Sequence, residues 1–91
     1  MNQKYEISEI AHPQYPWLHR IRALSNVRIG VIKGDLGGYV QGEHNLSQEG
    51  TCWIFDDAIA CESSFVDQQA TVSGTAVIRG SAFLHSHGGT Y

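Results

Sequence analysis

The stretch CWIFDDAIACESSFVDQQATVSGTAVIRGSAFLHSHG, residues 52–88, decides the fold. Every sixth residue from Cys52 gives Cys52, Ala58, Ser64, Ala70, Ala76, Ala82 and Gly88, seven small residues in seven slots. Small residues are 27 of the 91 in the chain, so chance fills such a series only about twice in ten thousand for a given phase. Two places further on, Ile54, Ala60, Val66, Val72, Ile78 and Leu84 are aliphatic throughout. A helix repeats its apolar residues at 3.6 and a simple strand at 2, so a period of six implies short strands joined by sharp corners. The aliphatic and small side chains of each hexad are expected to point inward. Gly50, Gly74 and Gly80 fall just ahead of small slots, where a corner needs freedom from a side chain. Asp56, Asp57, Glu62, Asp67, Gln68, Ser73 and Arg79 are expected at corners facing water.

The residue before each core aliphatic one is expected to point outward, and here the pattern departs from a polar surface. It reads Trp53, Ile59, Phe65, Thr71, Val77 and Phe83. Stacking at a spacing of 18 places Phe65 over Phe83, Ile59 over Val77 and Trp53 over Thr71. One such ladder has enough N-terminal chain to cover it; three do not, so at least one is expected to be a subunit or partner interface. The expected interface set is Trp53, Ile59, Phe65, Val77 and Phe83, joined by the acidic Asp56, Asp57, Glu62 and Asp67.

The N-terminal third reads differently. Tyr5-Glu6-Ile7, Trp17 to Leu24 and Val27 to Lys33 have strand character, with Val27, Ile29 and Val31 on one face and Ser25-Asn26 as a turn. His12-Pro13-Gln14-Tyr15-Pro16 is irregular by its prolines. Gly34-Asp35-Leu36-Gly37-Gly38 lacks the lysine and following helix of a phosphate loop and is expected to be the bend that starts the coil. The expected organisation is all-β: a β-rich cap over residues 1–36, coils over 37–88 and a tail at 89–91, with the last coil open to a dimer partner or to the tail.

Charge is uneven. Residues 1–33 carry Lys4, Arg20, Arg22, Arg28 and Lys33 against Glu6 and Glu9, five minus two or +3; residues 34–91 carry seven acids against Arg79, a balance of −6. A nucleic-acid binder clusters Lys and Arg, so direct nucleic-acid binding is not expected. The acidic half suits either a basic protein surface or plain solvation. Charged residues are 16 % and apolar residues 42 % of the chain, which excludes a disordered tail. There is no apolar run of membrane-spanning length and no secretion signal in the first residues, so no membrane association and a cytoplasmic location are expected. Cys52 and Cys61 lack a metal-ligand spacing and are expected as reduced thiols, Cys52 inert inside and Cys61 near a corner.

The hexads resemble the left-handed parallel β-helix proteins built on the hexapeptide repeat. Leu18-His19-Arg20-Ile21-Arg22-Ala23-Leu24, Gly34-Asp35-Leu36-Gly37-Gly38-Tyr39-Val40 and the run from Asn45 to Asp56 look like the N-terminal block of YdcK-like proteins, common in enterobacterial and prophage sequences. The resemblance spans about residues 4 to 85 and implies a short left-handed parallel β-helix. It also implies acyltransferase chemistry on coenzyme A with a histidine base, but His44, His85 and His87 sit in no matching motif. His85 and His87 are spaced for one side of a strand, fitting either a polar tail or half a metal site completed by a symmetric partner. No catalytic residue, metal or cofactor is assigned. The expected function is a non-catalytic, self-associating protein-binding module, a homodimer or homotrimer, in one form a phage-encoded inhibitor of a host defence complex of the anti-CRISPR kind. A small acyltransferase-like enzyme and a capping fragment of a longer coil are the alternatives.

Overall fold

The computed structural model describes residues 3–86. The fold is all-β, and the described residues contain no α-helix, only a 3₁₀ turn at Glu43–Asn45. After β1 (Tyr5–Ala11), β2 (His19–Ala23) and β3 (Leu36–Val40) come six short strands: β4 (Trp53–Ile54), β5 (Ile59–Ala60), β6 (Phe65–Gln68), β7 (Thr71–Val72), β8 (Val77–Ile78) and β9 (Phe83–Ser86). One sheet runs β1-β2-β3-β5-β8, a second pairs β4 with β7 and a third pairs β6 with β9.

The hexad arithmetic appears directly in the register. Trp53 pairs with Thr71, Ile59 with Val77 and Phe65 with Phe83, all parallel and all 18 residues apart. One turn earlier the spacing is 20, because Tyr39 pairs with Ile59 and Leu46 bridges Val66. The two extra residues lie between Leu46 and Trp53, where the next turn takes six residues from Val66 to Val72 and this one takes eight from Leu46 to Ile54.

The corners carry a second six-residue series that composition alone does not disclose. Gly50, Asp56, Glu62, Gln68, Gly74 and Gly80 all have positive φ, between 58° and 74°. Glycine occupies this region without penalty, whereas a residue with a side chain gives up about 1–2 kcal/mol. At two of the non-glycine corners the side chain offsets that cost: Asp56 Oδ2 accepts from the Gly74 amide at 3.0 Å, and Glu62 Oε1 from the Gly80 amide at 2.8 Å. Each carboxylate thus ties one corner to the corner 18 residues on.

Inside, the small slots Cys52, Ala58, Ser64 and Ala70 and the aliphatic Ile54, Ala60, Val66 and Val72 have no exposed surface. Ser64 hides its hydroxyl by donating to Cys61 O at 2.7 Å. On the last turn the pattern loosens: Ala76 and Ile78 are half-buried and Ala82 is exposed. The Gly88 slot and the 89–91 tail lie outside the described residues.

Three expectations need correction. Val27–Lys33 is no strand but a tight reversal, with Val27 N–H bonded to Val31 O and Val31 N–H to Arg28 O. Consequently Val31 is buried while Ile29, at the tip, is fully exposed, so the two share no face. Gly37 and Gly38 belong to β3 rather than to a bend, and what demands glycine there is proximity. A Cβ on Gly37 would stand 2.6 Å from Ile54 O, and one on Gly38 would collide with Ala58 O. Finally, Trp53 is not outward-facing surface: it is 1 % exposed, in one buried cluster with Tyr5, Ala23 and Val31.

Candidate functional site

The three outward ladders have three different fates. Trp53 and Thr71 are buried, with the Tyr5 ring edge-on to Trp53 at 6.4 Å between centroids. Ile59 is covered by Leu18 and Tyr39, but Val77 below it is 49 % exposed. Phe65 is half-buried and stands edge-on to Phe83 at 5.4 Å, and Phe83 is 59 % exposed. The interface candidates therefore divide. Phe83 and Val77 present accessible apolar surface on the last turn, Phe65 and Ile59 support them from above, and Trp53 belongs to the interior.

Asp56, Asp57 and Glu62 are exposed, and of the acidic candidates Asp57 pairs with the cap. Asp57 Oδ1 meets Arg20 Nη2 at 2.7 Å, while Arg20 Nη1 donates to Gly37 O and Asp56 O and its guanidinium lies 4.4 Å from the Tyr39 ring centre. Asp56 and Glu62 hold the corner amides described above. Asp67 keeps Oδ1 buried without a hydrogen-bond partner among the described residues. Among the described residues one ion pair, Arg20–Asp57, joins the basic front to the acidic back.

The same cap seals the upper end of the coil with groups that periodicity does not single out. Lys4 is 7 % exposed, and its ammonium donates to Glu49 O, Cys52 O and Cys52 Sγ, the last at 3.1 Å. Burial pulls the Lys4 pKa below its ordinary value, opposed by the Cys52 thiol beside it. Burial likewise raises the Tyr5 phenol, which donates to Leu46 O at 2.6 Å. Gln48 uses both ends of its amide: Oε1 accepts from the Lys4 and Tyr5 amides and Nε2 donates to Tyr5 O and Glu43 Oε1. Asn45, wholly buried, accepts from the Gln41 and Gly42 amides and donates to Glu62 O and Ser64 O. An Asn or Gln in a polar stretch carries no sequence signal for such a role, since only the fold shows which backbone groups need a partner.

Of the histidines, His44 has Nε2 2.7 Å from Glu62 O, a contact that ties the ring to a corner. The His85 backbone pairs with Asp67 in the β6–β9 register, and His87 lies outside the described residues. Among the described residues no group of three or more His, Cys, Asp or Glu is placed to hold a metal ion. Cys61 is half-buried, and burial together with Glu62 raises its thiol pKa against an opposing pull from Arg79.

Cys61 also lies in a cleft of about 260 Å³ between the Tyr15–Leu18 segment and the outer side of β5 and β8. Tyr15, Trp17, Leu18, Ile59 and Val77 form its apolar walls, with Gln41, Glu62 and Arg79 at its polar end. From the sequence Tyr15 falls in proline-marked irregular chain and Trp17 at the start of a strand, and neither position signals a cleft wall.

No family model matches this chain, and no solved structure matches it. The chain is similar to YdcK. That protein, the "uncharacterized acetyltransferase YdcK" of Escherichia coli (strain K12), is 37 % identical over 67 residues, covering 72 % of this chain and 20 % of YdcK. The chain spans about one fifth of the length of YdcK. No helix among the described residues is long and apolar enough to cross a membrane.

Proposed function

We propose that this chain is a short left-handed parallel β-helix of the hexapeptide type that acts without catalysis, as a self-associating protein-binding module. Parallel pairing at intervals of 18 and a positive φ every sixth residue support the β-helix reading. The observation that carries the binding reading is the last turn, where the Phe83 side chain is 59 % exposed beside loosely covered small and aliphatic residues. Exposed apolar surface favours association, with another copy or with a foreign chain. The acidic residues support this reading less than the aromatic ones, because Asp56, Asp57 and Glu62 already have internal partners. The narrower form, an inhibitor of a host defence complex, rests on those acids and is the weaker part of the proposal.

Light scattering on the wild type and on Phe83→Glu tests the association. A dimer or trimer that Phe83→Glu dissociates supports the reading, and a wild-type monomer at high micromolar concentration overturns it. The likeness to YdcK favours acyl transfer as a second reading. Saturable acetyl-coenzyme A binding by calorimetry, lost on replacing His44, would support that reading over the first.

A further inference from the structure

The cleft beside β8 lies on a different face from the Phe65–Phe83 ladder. We propose that it binds an extended acidic peptide, which adds to the open edge of β8 as a further strand, seats an aliphatic side chain between Trp17 and Val77, and places a carboxylate on Arg79.

Three observations lead there. First, among the described residues β8 ends its sheet: the order β1-β2-β3-β5-β8 gives it a neighbour on one side only. A peptide strand on that edge would continue the column Tyr39, Ile59, Val77 by one step of about 4.8 Å, and Val77, 49 % exposed, is the residue such a step would cover.

Second, the wall above that step is apolar and already ordered. Trp17 and Tyr15 are 56 % and 42 % exposed and contact each other at 5.4 Å between ring centroids. His12 braces them from behind, 5.0 Å from the Tyr15 ring and 4.6 Å from Tyr39, with its Nδ1 accepting from the Gln14 and Tyr15 amides. Rigid aromatic walls bind side chains at low cost in entropy.

Third, the charge at the polar end selects the ligand. Arg79 is the one Lys or Arg of positions 34–91, and it forms no ion pair among the described residues. Glu62, at the same end, turns its Oε1 to the Gly80 amide. A guanidinium at the rim of an apolar cleft favours a carboxylate. Size decides between a peptide side chain and a whole cofactor. Small-molecule sites usually enclose about 300–1,000 Å³, and about 260 Å³ of open cleft suits a side chain.

The test uses the full chain and a fluorescein-labelled heptapeptide of alternating valine and threonine with a central leucine and one glutamate two places after it. Two companion peptides replace the glutamate by lysine or N-methylate alternate amides. Fluorescence anisotropy should show saturable micromolar binding of the glutamate peptide and at least about tenfold weaker binding of both companions. Arg79→Glu should reverse the preference toward the lysine peptide, a rescue that misfolding cannot produce, and Trp17→Ala should weaken every peptide. Phe83→Glu should leave the affinity unchanged, separating this site from the association surface. Absence of saturable binding by any of the three peptides to the wild type overturns the proposal, as does binding that ignores N-methylation or the charge swap. If Arg79→Glu instead alters the solution mass while no peptide binds, the occupant is a second copy of the chain and the peptide proposal fails.

Discussion

The two ends of the hexad coil are built from the same repeat and finished in opposite ways. At the upper end Lys4, Tyr5, Asn45 and Gln48 reach across 17 to 48 positions of chain to satisfy backbone groups left without a neighbouring turn. On the last turn Ala82 and Val77 are exposed, and among the described residues β7 and β8 each have a strand on one side only. Closure therefore depends on a few polar side chains of high information content, and the repeat itself closes nothing. On the proposed reading, the exposed apolar residues of the last turn are what associates.

The sharpest way to break the closed end is Gly38→Val. The added side chain meets Ala58 O and Ile54 Cγ2 within β3's pairing to β5, and backbone cannot yield there without parting the strands. A loss of more than about 4 kcal/mol is expected, seen as disappearance of the cooperative thermal transition in circular dichroism. A near wild-type melting temperature would mean that the β3–β5 approach is looser than drawn.

The same slot at both ends gives the most direct comparison. Ala58→Leu adds three carbons to a site with no exposed surface and should cost about 3 kcal/mol by overpacking. Ala82→Leu, 24 positions on in an exposed slot, should change stability by no more than about 0.5 kcal/mol. Urea midpoints of the two variants measure this difference. Equal losses would show that the last turn is covered in solution, by association.

That contrast also marks how far sequence carries. The period of six set strand positions and register from Trp53 to Leu84, and inward residues from Cys52 to Val72, because each slot repeats and errors average out. The upper end does not repeat: the two extra residues before Trp53, the burial of Trp53 and the roles of Lys4, Asn45 and Gln48 each follow from one non-local contact. Strand character over Val27–Lys33 misled for the same reason, since a turn with Gly30 at φ 93° overrides alternation of three β-branched residues. Of the candidate site, the Phe65–Phe83 stack was legible, whereas the Tyr15–Trp17 wall needs the cap folded onto β5 before it exists.

Lys4→Met tests whether charge closes the upper end. The variant keeps the apolar stem but leaves Glu49 O and Cys52 O without their donor, at a cost of about 2 kcal/mol near neutral pH. The pH dependence has a definite sign. The folded-state pKa of Lys4 lies below 10.5, so between the two values the unfolded chain binds more protons and stability rises with pH. Tyr5 and Cys61, whose folded-state values are raised, work in the opposite direction in the alkaline range. The diagnostic quantity is therefore wild type minus Lys4→Met, which should grow with pH in the alkaline range below 10.5. A flat difference would place the Lys4 ammonium in water.

The smallest effects lie at the corners and separate backbone strain from side-chain bonding. Gln68 and Asp56 share φ 58°, yet the Asp56 carboxylate holds the Gly74 amide while Gln68 has no such side-chain bond among the described residues. Gln68→Gly removes about 1–2 kcal/mol of left-handed strain and adds about 0.5–1 kcal/mol of unfolded-state entropy, a net gain of about 0.5 kcal/mol or a little more. Asp56→Gly relieves the same strain and enlarges the same entropy, but it also strips a charge-assisted bond from the Gly74 amide, worth about 1 kcal/mol on an exposed corner. It should come out neutral to slightly destabilising. Chemical denaturation of the pair, read as the difference between the two variants, isolates the carboxylate. If Gln68→Gly destabilises as much as Asp56→Gly, the corner carboxylates are decoration, and the ties between successive turns lie wholly in the parallel strands.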